Sequence, residues 1–224
     1  MSWDSAWEKV FKEAEWGKYP SESLIRFIAR NFYERKNRQD VRLLEVGCGP
    51  GGNLWYMARE GFDVYGVDAS PTGIQRARRR LENEGLRADL KEADIINLPY
   101  ADNYFDGVAD VECIYCNSAE NSKKILREIK RVMKKNALFY SKTFTDDMYV
   151  GSQRDEAGDL EYRNISDGPL AGKGFVRLTD NSGIKDLYGE FFKIRSVDKL
   201  EYSANSGAAA IKISEWIIIC EKKD

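Results

Sequence analysis

The sequence predicts an α/β domain built on a mostly parallel, doubly wound sheet with helices on both faces. Short apolar runs alternate with amphipathic helical segments, which is the pattern of such sheets. The 224 residues suffice for one well-cored domain and are too few for two domains and a linker. A glycine-rich turn follows the first apolar run, where sheets of this kind bind ligands.

Apolar spacing and capping residues define the individual elements. In the first half we expect a helix over 20–36, a strand over Val41–Val46, a helix ending at Gly61, a strand over Asp63–Val67 and a helix beginning at Ser70-Pro71. In the second half we expect strands over Leu86–Glu92 and Phe105–Val111, a helix over 119–135, a strand over Ala137–Phe144, a helix from Thr179-Asp180 to about Gly189, and strands over 193–203 and 211–220.

Composition excludes several functional classes. The chain has no histidine, which rules out Ser-His-Asp and Cys-His hydrolases and any metal site built on imidazole. A general base must then be Asp, Glu, Tyr, Lys or Cys, and we predict no metal site. A formal net charge of −2 argues against a dedicated nucleic-acid binder. The basic cluster Arg76 and Arg78–Arg80 is therefore expected to be the solvated side of its helix.

The chain is also expected to be a cytoplasmic protein without membrane contact. It has no uncharged apolar run of the ~20 residues needed to span a bilayer. Its first residues show no basic stretch followed by an apolar one, so no secretion signal is visible. Four cysteines do not suggest a disulfide framework. We expect a small-molecule substrate and a monomer or a homodimer.

The most informative segment is the turn within Leu43–Asn53. Its glycines allow close approach of backbone to a ligand, and the helix that follows offers free N–H groups. Asp68 lies 21 residues after Gly47, at the end of the next predicted strand, where a carboxylate can accept both hydroxyls of a ribose. Gly47, Gly49 and Gly52 also satisfy G-x-G-x-x-G, so this spacing fits a dinucleotide-binding fold as well.

Four motifs in order resemble those of class I S-adenosylmethionine (SAM)-dependent methyltransferases. They are the run Glu45–Gly51, the strand end Gly66–Ser70, Asp94 with Leu98-Pro99, and Phe105-Asp106. The resemblance covers roughly residues 41–144. It implies a three-layer sandwich with a seven-stranded sheet, in which Trp216–Cys220 belongs to an inserted antiparallel last strand.

The resemblance also implies an activity. The chain would transfer a methyl group from SAM to an oxygen or nitrogen atom of a small molecule, releasing S-adenosylhomocysteine. One alternative is a NAD-dependent oxidoreductase, although a short-chain dehydrogenase would want a Tyr-x-x-x-Lys pair, which is absent. Another is a SAM-binding regulatory protein without catalysis.

Binding roles follow from the resemblance position by position. Asp68 matches the ribose-binding acid, Asp94 the residue that accepts the adenine amine, and Glu45 the turn beneath the methionine moiety. The full set expected to bind the cofactor is Glu45, Gly47, Cys48, Gly49, Gly51, Asn53, Asp68, Ala69, Asp94, Ile95, Glu112 and Cys113. Local backbone pairing is the alternative role for Glu45, and turn capping is the alternative for Asp94.

Candidates to orient or deprotonate the acceptor are Tyr19, Glu112 and Tyr115, since histidine is absent. Many members of the family have a histidine where Tyr115 stands, so this chain departs from the family's pattern at that position. The pair Cys113 and Cys116 has a C-x-x-C spacing, but small, partly buried residues beside the cofactor are a better interpretation than a zinc or redox site.

Two segments are expected to define the substrate. The N-terminal segment is unusually aromatic, with Trp3, Trp7, Phe11, Trp16 and Tyr19, and either covers the cofactor as a lid or anchors a helix on the sheet. The long polar connection over 145–178 is typical of a binding loop, and Asp167-Gly168 there could turn a small hairpin between Tyr162 and Phe175. The predicted division of the single domain is a lid over 1–36, a SAM-binding core over 37–144, a substrate loop over 145–178, and a C-terminal helix and strands over 179–224.

Overall fold

The predicted doubly wound sheet is confirmed by a computed structural model, which describes residues 3–206 and 209–223. The helices are α1 (Ala6–Glu13), α2 (Glu22–Phe32), α3 (Gly52–Arg59), α4 (Pro71–Glu82), α5 (Ala119–Val132) and α6 (Asn181–Phe191). The strands are β1 (Arg42–Val46), β2 (Asp63–Asp68), β3 (Asp89–Glu92), β4 (Phe105–Val111), β5 (Met133–Phe144), β6 (Asp155–Gly158), β7 (Glu161–Arg163), β8 (Val176–Arg177), β9 (Phe192–Ser206) and β10 (Ala209–Lys222).

Seven strands form the main sheet in the order β3-β2-β1-β4-β5-β10-β9. The first five are parallel, and β10 runs antiparallel to both of its neighbours, β5 and β9. The chain moves outward in one direction from β1 to β3 and then in the other direction from β4. The strand order therefore reverses between β1 and β4, which is where open α/β sheets bind ligands.

Alternating side chains of the strands supply two cores, one on each face of the sheet. Leu43 on β1 packs in the core that contains residues of α2, α3 and α4. Its neighbour Leu44 packs in the opposite core, with residues of α5 and α6. Both side chains are fully buried, as expected for a central strand covered on two sides.

Two helix starts follow from capping residues that the sequence predicts. The Ser70 hydroxyl accepts a hydrogen bond from the Gly73 N–H at 2.9 Å, and Pro71 occupies the first turn of α4. The Asp180 carboxylate accepts from the Gly183 N–H at 2.6 Å at the start of α6. Each side chain satisfies a backbone donor that the helix itself leaves unpaired.

Several boundaries differ from the prediction. The α5 helix ends at Val132 rather than at 135, because Met133 is already extended and pairs with Phe105 of β4. The strand after α5 therefore begins at Met133 and not at Ala137. The third strand is shorter than predicted and starts at Asp89 rather than at Leu86.

The connection over 145–178 contains a small separate sheet of β6, β7 and β8. The predicted pairing of the arms that carry Tyr162 and Phe175 is confirmed, since β7 pairs antiparallel with β8 and Tyr162 lies opposite Val176, next to Phe175. Asp167-Gly168 lies in the connection between these two strands and does not form a tight two-residue turn. The tight turn lies between β6 and β7, where Leu160 has a φ of 54°. Asp167 instead accepts hydrogen bonds from the Tyr149 hydroxyl at 2.6 Å and from the Ser152 N–H at 2.9 Å, within the longer connection from β7 to β8.

Candidate active site

A deep cavity opens at the carboxyl ends of β1, β2 and β4, at the point where the strand order reverses. Water-sized molecules can occupy about 290 Å³ of it. Its floor is the glycine-rich turn with the strand ends, and its far wall is the aromatic segment that contains α1. The predicted residues that line it are Tyr19, Glu45, Gly47, Cys48, Gly49, Asn53, Asp68, Ala69, Asp94, Ile95, Glu112 and Cys113.

The turn after β1 has the open floor that the sequence predicts. Gly47 and Gly49 have φ angles of 66° and 47°, which L side chains rarely adopt. A Cβ on Gly47 would overlap the side chain of Cys113 from the loop after β4. The Cys48 N–H donates to the Val67 carbonyl at 3.1 Å and so ties the turn to β2.

Gly51 is the exception among the predicted binding residues, because it is not one of the described residues that line the cavity. It precedes α3 with a φ of 75°, and a Cβ there would lie 2.8 Å from the Cβ of Ala77 on α4. The role of Gly51 is therefore close helix packing. Gly52 lines the cavity in its place.

Glu45 is a buried carboxylate at the cavity floor, with only 2 % of its surface exposed. Its Oε1 accepts a hydrogen bond from the Asn53 amide at 2.6 Å, whereas its Oε2 has no hydrogen-bond partner within the described part of the chain. Burial, together with the charges of Asp68 and Asp110, raises the pKa of Glu45 to about 8 despite the hydrogen bond from Asn53. A ligand with a positive charge or an N–H group beside Oε2 would favour the ionised carboxylate and supply the missing hydrogen bond.

Asp68 ends β2 and lines the cavity next to the turn. Its two carboxylate oxygens accept hydrogen bonds from the Gly49 and Ser70 N–H groups, both at 2.7 Å. Burial raises its pKa in spite of these bonds. The carboxylate thus fixes the turn after β1 against the start of α4.

Asp94 and Ile95 follow β3 and line the neighbouring part of the cavity. The Asp94 carboxylate accepts a hydrogen bond from the Ile96 N–H at 3.1 Å, and the Asp94 carbonyl accepts from the Asn97 N–H at 3.0 Å. Asp94 therefore caps a turn and lines the cavity as well, so the two roles that the sequence left open are compatible.

Glu112 stands directly after β4 in a strained conformation, with a φ of 57°. A residue with a side chain pays for this left-handed geometry, and such residues cluster at functional sites. Its Oε1 accepts from the Lys142 ammonium at 2.7 Å, and the same ammonium lies 2.8 Å from Glu215. The carboxylates of Glu112 and Glu215 raise the pKa of Lys142 although burial opposes them, so Lys142 stays charged.

The other two candidate bases are placed very differently. Tyr19 lines the mouth of the cavity, is 70 % exposed and packs edge-on against Trp55. Tyr115 is buried against Phe144, with ring centroids 4.8 Å apart, and is not among the described lining residues. Burial raises the pKa of Tyr115 well above its ordinary value, which opposes action as a base.

If the chain has the methyl-transfer activity that the sequence resemblance implies, a Tyr115→Phe variant is expected to keep its rate within about twofold, because it loses one hydroxyl outside the cavity lining. The rate of S-adenosylhomocysteine release measures this. A loss of a hundredfold or more, at unchanged thermal stability, would instead give the phenol a direct role.

Asp110 is a site residue that the sequence did not single out. It is fully buried near the end of β4 and accepts from the Cys113 and Ile114 N–H groups at 2.9 and 3.1 Å and from the Ser141 hydroxyl at 2.6 Å. Burial raises its pKa to about 6 against these hydrogen bonds. Asp110 shapes the loop that carries Glu112 and Cys113. The sequence contains one signal for Asp110, namely an acidic residue within the otherwise apolar second half of the predicted strand Phe105–Val111.

The aromatic N-terminal segment forms the far wall of the cavity. Trp7, Phe11 and Trp16 contact one another, with ring centroids 5.4 to 5.9 Å apart, and all three line the cavity. Phe11 also lies over the glycine turn, since a Cβ on Gly49 would be 3.0 Å from its ring. The aromatics thus border the cavity as well as anchor α1.

Polar contacts hold this segment against α4. Glu8 accepts hydrogen bonds from the hydroxyls of Ser70 and Thr72, the latter at 2.6 Å. Arg76 donates to the Ala14 carbonyl at 2.6 Å, and Arg80 donates to the Gly17 carbonyl at 3.3 Å. Arg78 and Arg79 are exposed, as expected for the solvated side of the helix, whereas Arg76 and Arg80 are partly buried by these contacts.

The segment also contacts the connection over 145–178. The Asp4 carboxylate accepts from the Phe175 N–H at 3.1 Å and pairs with Arg163 at 3.3 Å. The Lys173 ammonium lies 4.5 Å from the ring centroid of Trp16 and 5.4 Å from that of Trp7. The two segments expected to define the substrate are therefore in direct contact.

Glu8 gives this contact a predicted pH dependence. Burial opposes its ionisation, but hydrogen bonds from Ser70, Thr72 and Lys12 outweigh it and hold the pKa at about 2. A lowered carboxyl pKa contributes stability above the unfolded value, and this contribution is lost as pH falls from about 4.5 towards 2. We expect tryptophan fluorescence to report release of α1 in that pH range.

A Glu8→Gln variant is the control for this prediction. Its contact with α4 should already be weaker at neutral pH, and it should show no transition between pH 4.5 and 2. An identical transition in the variant would assign the transition to other carboxylates.

No metal site or membrane span is found within the described ranges. No group of three or more Asp, Glu or Cys side chains there is arranged to hold a metal ion. None of the helices in these ranges has both the length and the apolar character that a bilayer crossing requires.

Comparison with known proteins identifies the domain. Residues 43–136 match a family model described as a methyltransferase domain. The chain is 31% identical over 105 residues to norajmaline N-methyltransferase from Rauvolfia serpentina, a match that covers 46% of this chain and 35% of that protein. It is 41% identical over 76 residues to ubiquinone biosynthesis O-methyltransferase from Cereibacter sphaeroides, covering 34% of this chain and 31% of that protein.

A solved structure of a SAM-dependent methyltransferase from Methanosarcina mazei has the same fold. It superposes with a TM-score of 0.70 at 18% sequence identity and covers 91% of this chain and 98% of the other. The chain spans only 31% to 60% of the length of the first curated relatives that it matches. Residues 43–136 thus match a methyltransferase domain, and the whole sheet has the fold of this SAM-dependent methyltransferase.

The cofactor of this class is SAM, and the residues of the cavity fit it. The glycine turn leaves room for a ligand against the backbone, and Glu45 has a buried oxygen that needs a donor. Asp68 and Asp94 add two acceptors along the same wall. These groups match the cationic and hydroxyl-bearing parts of SAM, and the alternative of a NAD-dependent oxidoreductase is not favoured by any of the matches above.

Proposed function

We propose that the protein transfers a methyl group from SAM to an oxygen or nitrogen atom of a small-molecule acceptor. The observation that carries the proposal is that one continuous cavity joins the glycine turn and its carboxylates to the aromatic segment around α1. A single cavity of this kind can hold a donor and an acceptor side by side. Both an N-methyltransferase and an O-methyltransferase of small molecules are among the relatives.

In this proposal the strand ends hold the cofactor. Asp68 accepts the ribose hydroxyls, Asp94 accepts the adenine amine with Ile95 beside the ring, and Glu45 with Gly47 and the residues of the turn faces the methionine part. When bound, SAM supplies a methyl group that is already activated by its sulfonium charge. The protein's task is then to orient the acceptor close to that methyl group and to exclude water.

The aromatic segment and the connection over 145–178 are proposed to enclose the acceptor. The contacts of Asp4 with Phe175 and of Lys173 with Trp16 support this role, because they join the connection to the aromatic segment that lines the cavity. None of the described lining residues belongs to 145–178 itself, so the connection would act on the acceptor through the aromatic segment. Glu112 and Tyr19 remain the proposed groups that orient or deprotonate the acceptor, since both line the cavity. Glu112 is favoured because it lies directly after β4, close to the glycine turn.

The wider setting is also a proposal. Four cysteines without a disulfide suit a reducing compartment such as the cytoplasm. The nearly balanced charge of the chain supports a small-molecule acceptor and not a nucleic acid, and a monomer or homodimer is the proposed assembly.

The test combines binding with turnover. Calorimetry with S-adenosylhomocysteine is expected to show one site per chain, and a panel of amines, carboxylates, sugars and phenols is expected to give S-adenosylhomocysteine release with one class. Absence of binding would overturn the proposal. Binding without turnover across the panel would favour the SAM-binding regulatory protein instead.

A further inference from the structure

The cavity lining has a one-sided charge. Five carboxylates line it, and neither lysine nor arginine is found among its described lining residues. The carboxylates are Asp4, Glu45, Asp68, Asp94 and Glu112. Glu45, Asp68 and Asp94 are proposed to hold the cofactor, whereas Asp4 and Glu112, the latter predicted to contact the cofactor as well, can face the acceptor.

These two remaining carboxylates are not equivalent. Asp4 is neutralised by Arg163 and accepts hydrogen bonds from the Ala6 and Phe175 N–H groups. Glu112 shares the single ammonium of Lys142 with Glu215, so this cluster carries two carboxylates and one cation. Two acidic side chains thus share one ammonium, and Glu112 is the one of the two that lines the cavity, next to the loop after β4.

A second observation points to a ligand that donates hydrogen bonds. Asn117 lines the cavity, and only 5% of its surface is exposed. Its side-chain oxygen Oδ1 has no hydrogen-bond partner within the described residues. Its backbone is held in place because its carbonyl accepts from the Arg177 guanidinium at 3.0 Å. A buried acceptor without a donor costs free energy, which a bound N–H group would recover.

The aromatic wall of the cavity already binds one cation of the protein itself. Indole rings attract cations at their faces, and Trp7 and Trp16 already have the Lys173 ammonium within 5.4 Å of both ring centroids. Lys173 is not among the described lining residues, so it reaches these rings from beside the cavity. The wall therefore combines aromatic faces with carboxylates.

We propose that the methyl acceptor is an amine that enters the cavity as a cation, so that the product is an N-methylated amine. This inference rests on the proposed function and narrows its acceptor. An anionic acceptor, such as a carboxylate or a phosphonate, would meet the carboxylates of the wall without any lysine or arginine at the lining to pair with. A neutral alcohol or phenol would gain nothing from the charge of Glu112.

The chemical step balances with the groups present. The ammonium of the acceptor gives one proton to the Glu112 carboxylate, which is partly exposed and can pass it to water. The freed nitrogen lone pair forms the new N–CH3 bond. The S–CH3 bond breaks with its electron pair remaining on sulfur, so a neutral thioether leaves and the positive charge resides on the product nitrogen.

The inference can be tested by binding, with the protein saturated with S-adenosylhomocysteine. Three probes of similar size differ in charge: 2-phenylethylamine, 2-phenylethanol and 3-phenylpropanoate. Calorimetry at neutral pH is expected to show that the amine binds roughly tenfold more tightly than the alcohol, because one partly buried charge interaction contributes about that much. The carboxylate is expected to bind more weakly than the alcohol. Raising the salt concentration should reduce the difference.

A matched pair of variants localises the effect. Glu112→Gln removes the charge of this carboxylate from the cavity wall and is expected to lower the preference for the amine roughly five- to tenfold. Glu82→Gln removes the same charge from the exposed side of α4 and should leave the preference unchanged. Thermal unfolding of both variants checks that they are folded.

The outcomes separate this inference from the proposed function. Failure to bind S-adenosylhomocysteine would overturn the proposed function itself. Normal binding of S-adenosylhomocysteine with equal affinities for the three probes, with none of them binding, or with a preference for 3-phenylpropanoate would overturn the inference alone. An amine preference that survives Glu112→Gln intact would contradict the role given to Glu112.

Discussion

A Gly47→Ala variant is expected to be destabilised by roughly 2–5 kcal/mol and to lose measurable binding of S-adenosylhomocysteine. Two effects add at this position. The φ of 66° strains any residue with a side chain, and the new Cβ would overlap the Cys113 side chain. Because Gly47 joins β1 to the cavity floor, relief of the overlap must move either the turn or the loop after β4. Thermal unfolding and calorimetry measure the two losses.

Gly61 offers a matched control for the strain alone. Its φ is 85°, and a Cβ there would have nothing within 4 Å. A Gly61→Ala variant should therefore lose only about 1–2 kcal/mol and bind S-adenosylhomocysteine normally. A second change, Cys113→Gly, should restore part of the stability of Gly47→Ala, because it removes the overlapping atoms. Equal losses at Gly47 and Gly61, without rescue, would show that crowding against Cys113 is not the cause.

The sheet and the cofactor side of the cavity could be predicted because their signals are local. Short continuous apolar runs mark buried strands, and the glycine turn and Asp68 lie within about twenty residues of each other. Ser70 and Asp180 cap their helices through donors three residues away. In each case, the residues that determine the structure lie close together in the sequence.

The remaining features depend on contacts between distant segments, which local patterns do not encode. Glu8 reaches α4 across more than sixty residues, and Lys142 joins Glu112 to Glu215 from three different strand regions. Tyr115 has a side chain that can act as a base, but it is buried against Phe144 at the end of β5. Gly51 and Gly52 are neighbours in the sequence, but Gly51 packs against Ala77 of α4, and only Gly52 of the two lines the cavity.

An Asp68→Ala variant is expected to bind S-adenosylhomocysteine at least roughly a hundredfold more weakly, since each hydrogen bond to a charged group contributes about 1.5–3 kcal/mol and about 1.4 kcal/mol is a factor of ten. The expectation rests on the role proposed for Asp68 at the ribose. Alanine also removes the acceptor for the Gly49 and Ser70 N–H groups, so the turn itself should loosen. Calorimetry measures the affinity, and thermal unfolding without ligand measures the turn.

Asp68→Asn separates these two roles. Asparagine keeps one side-chain oxygen for a backbone donor and loses the charge, so the unliganded protein should unfold closer to the wild type than Asp68→Ala does, whereas affinity should still fall strongly. Asp63→Asn, at the opposite end of the same strand, removes a carboxylate that pairs with Arg42 at the surface and should leave affinity unchanged. If Asp68→Asn bound S-adenosylhomocysteine as tightly as the wild type, the carboxylate would serve only to fix the turn, and the ribose contact would have to come from another group along this wall.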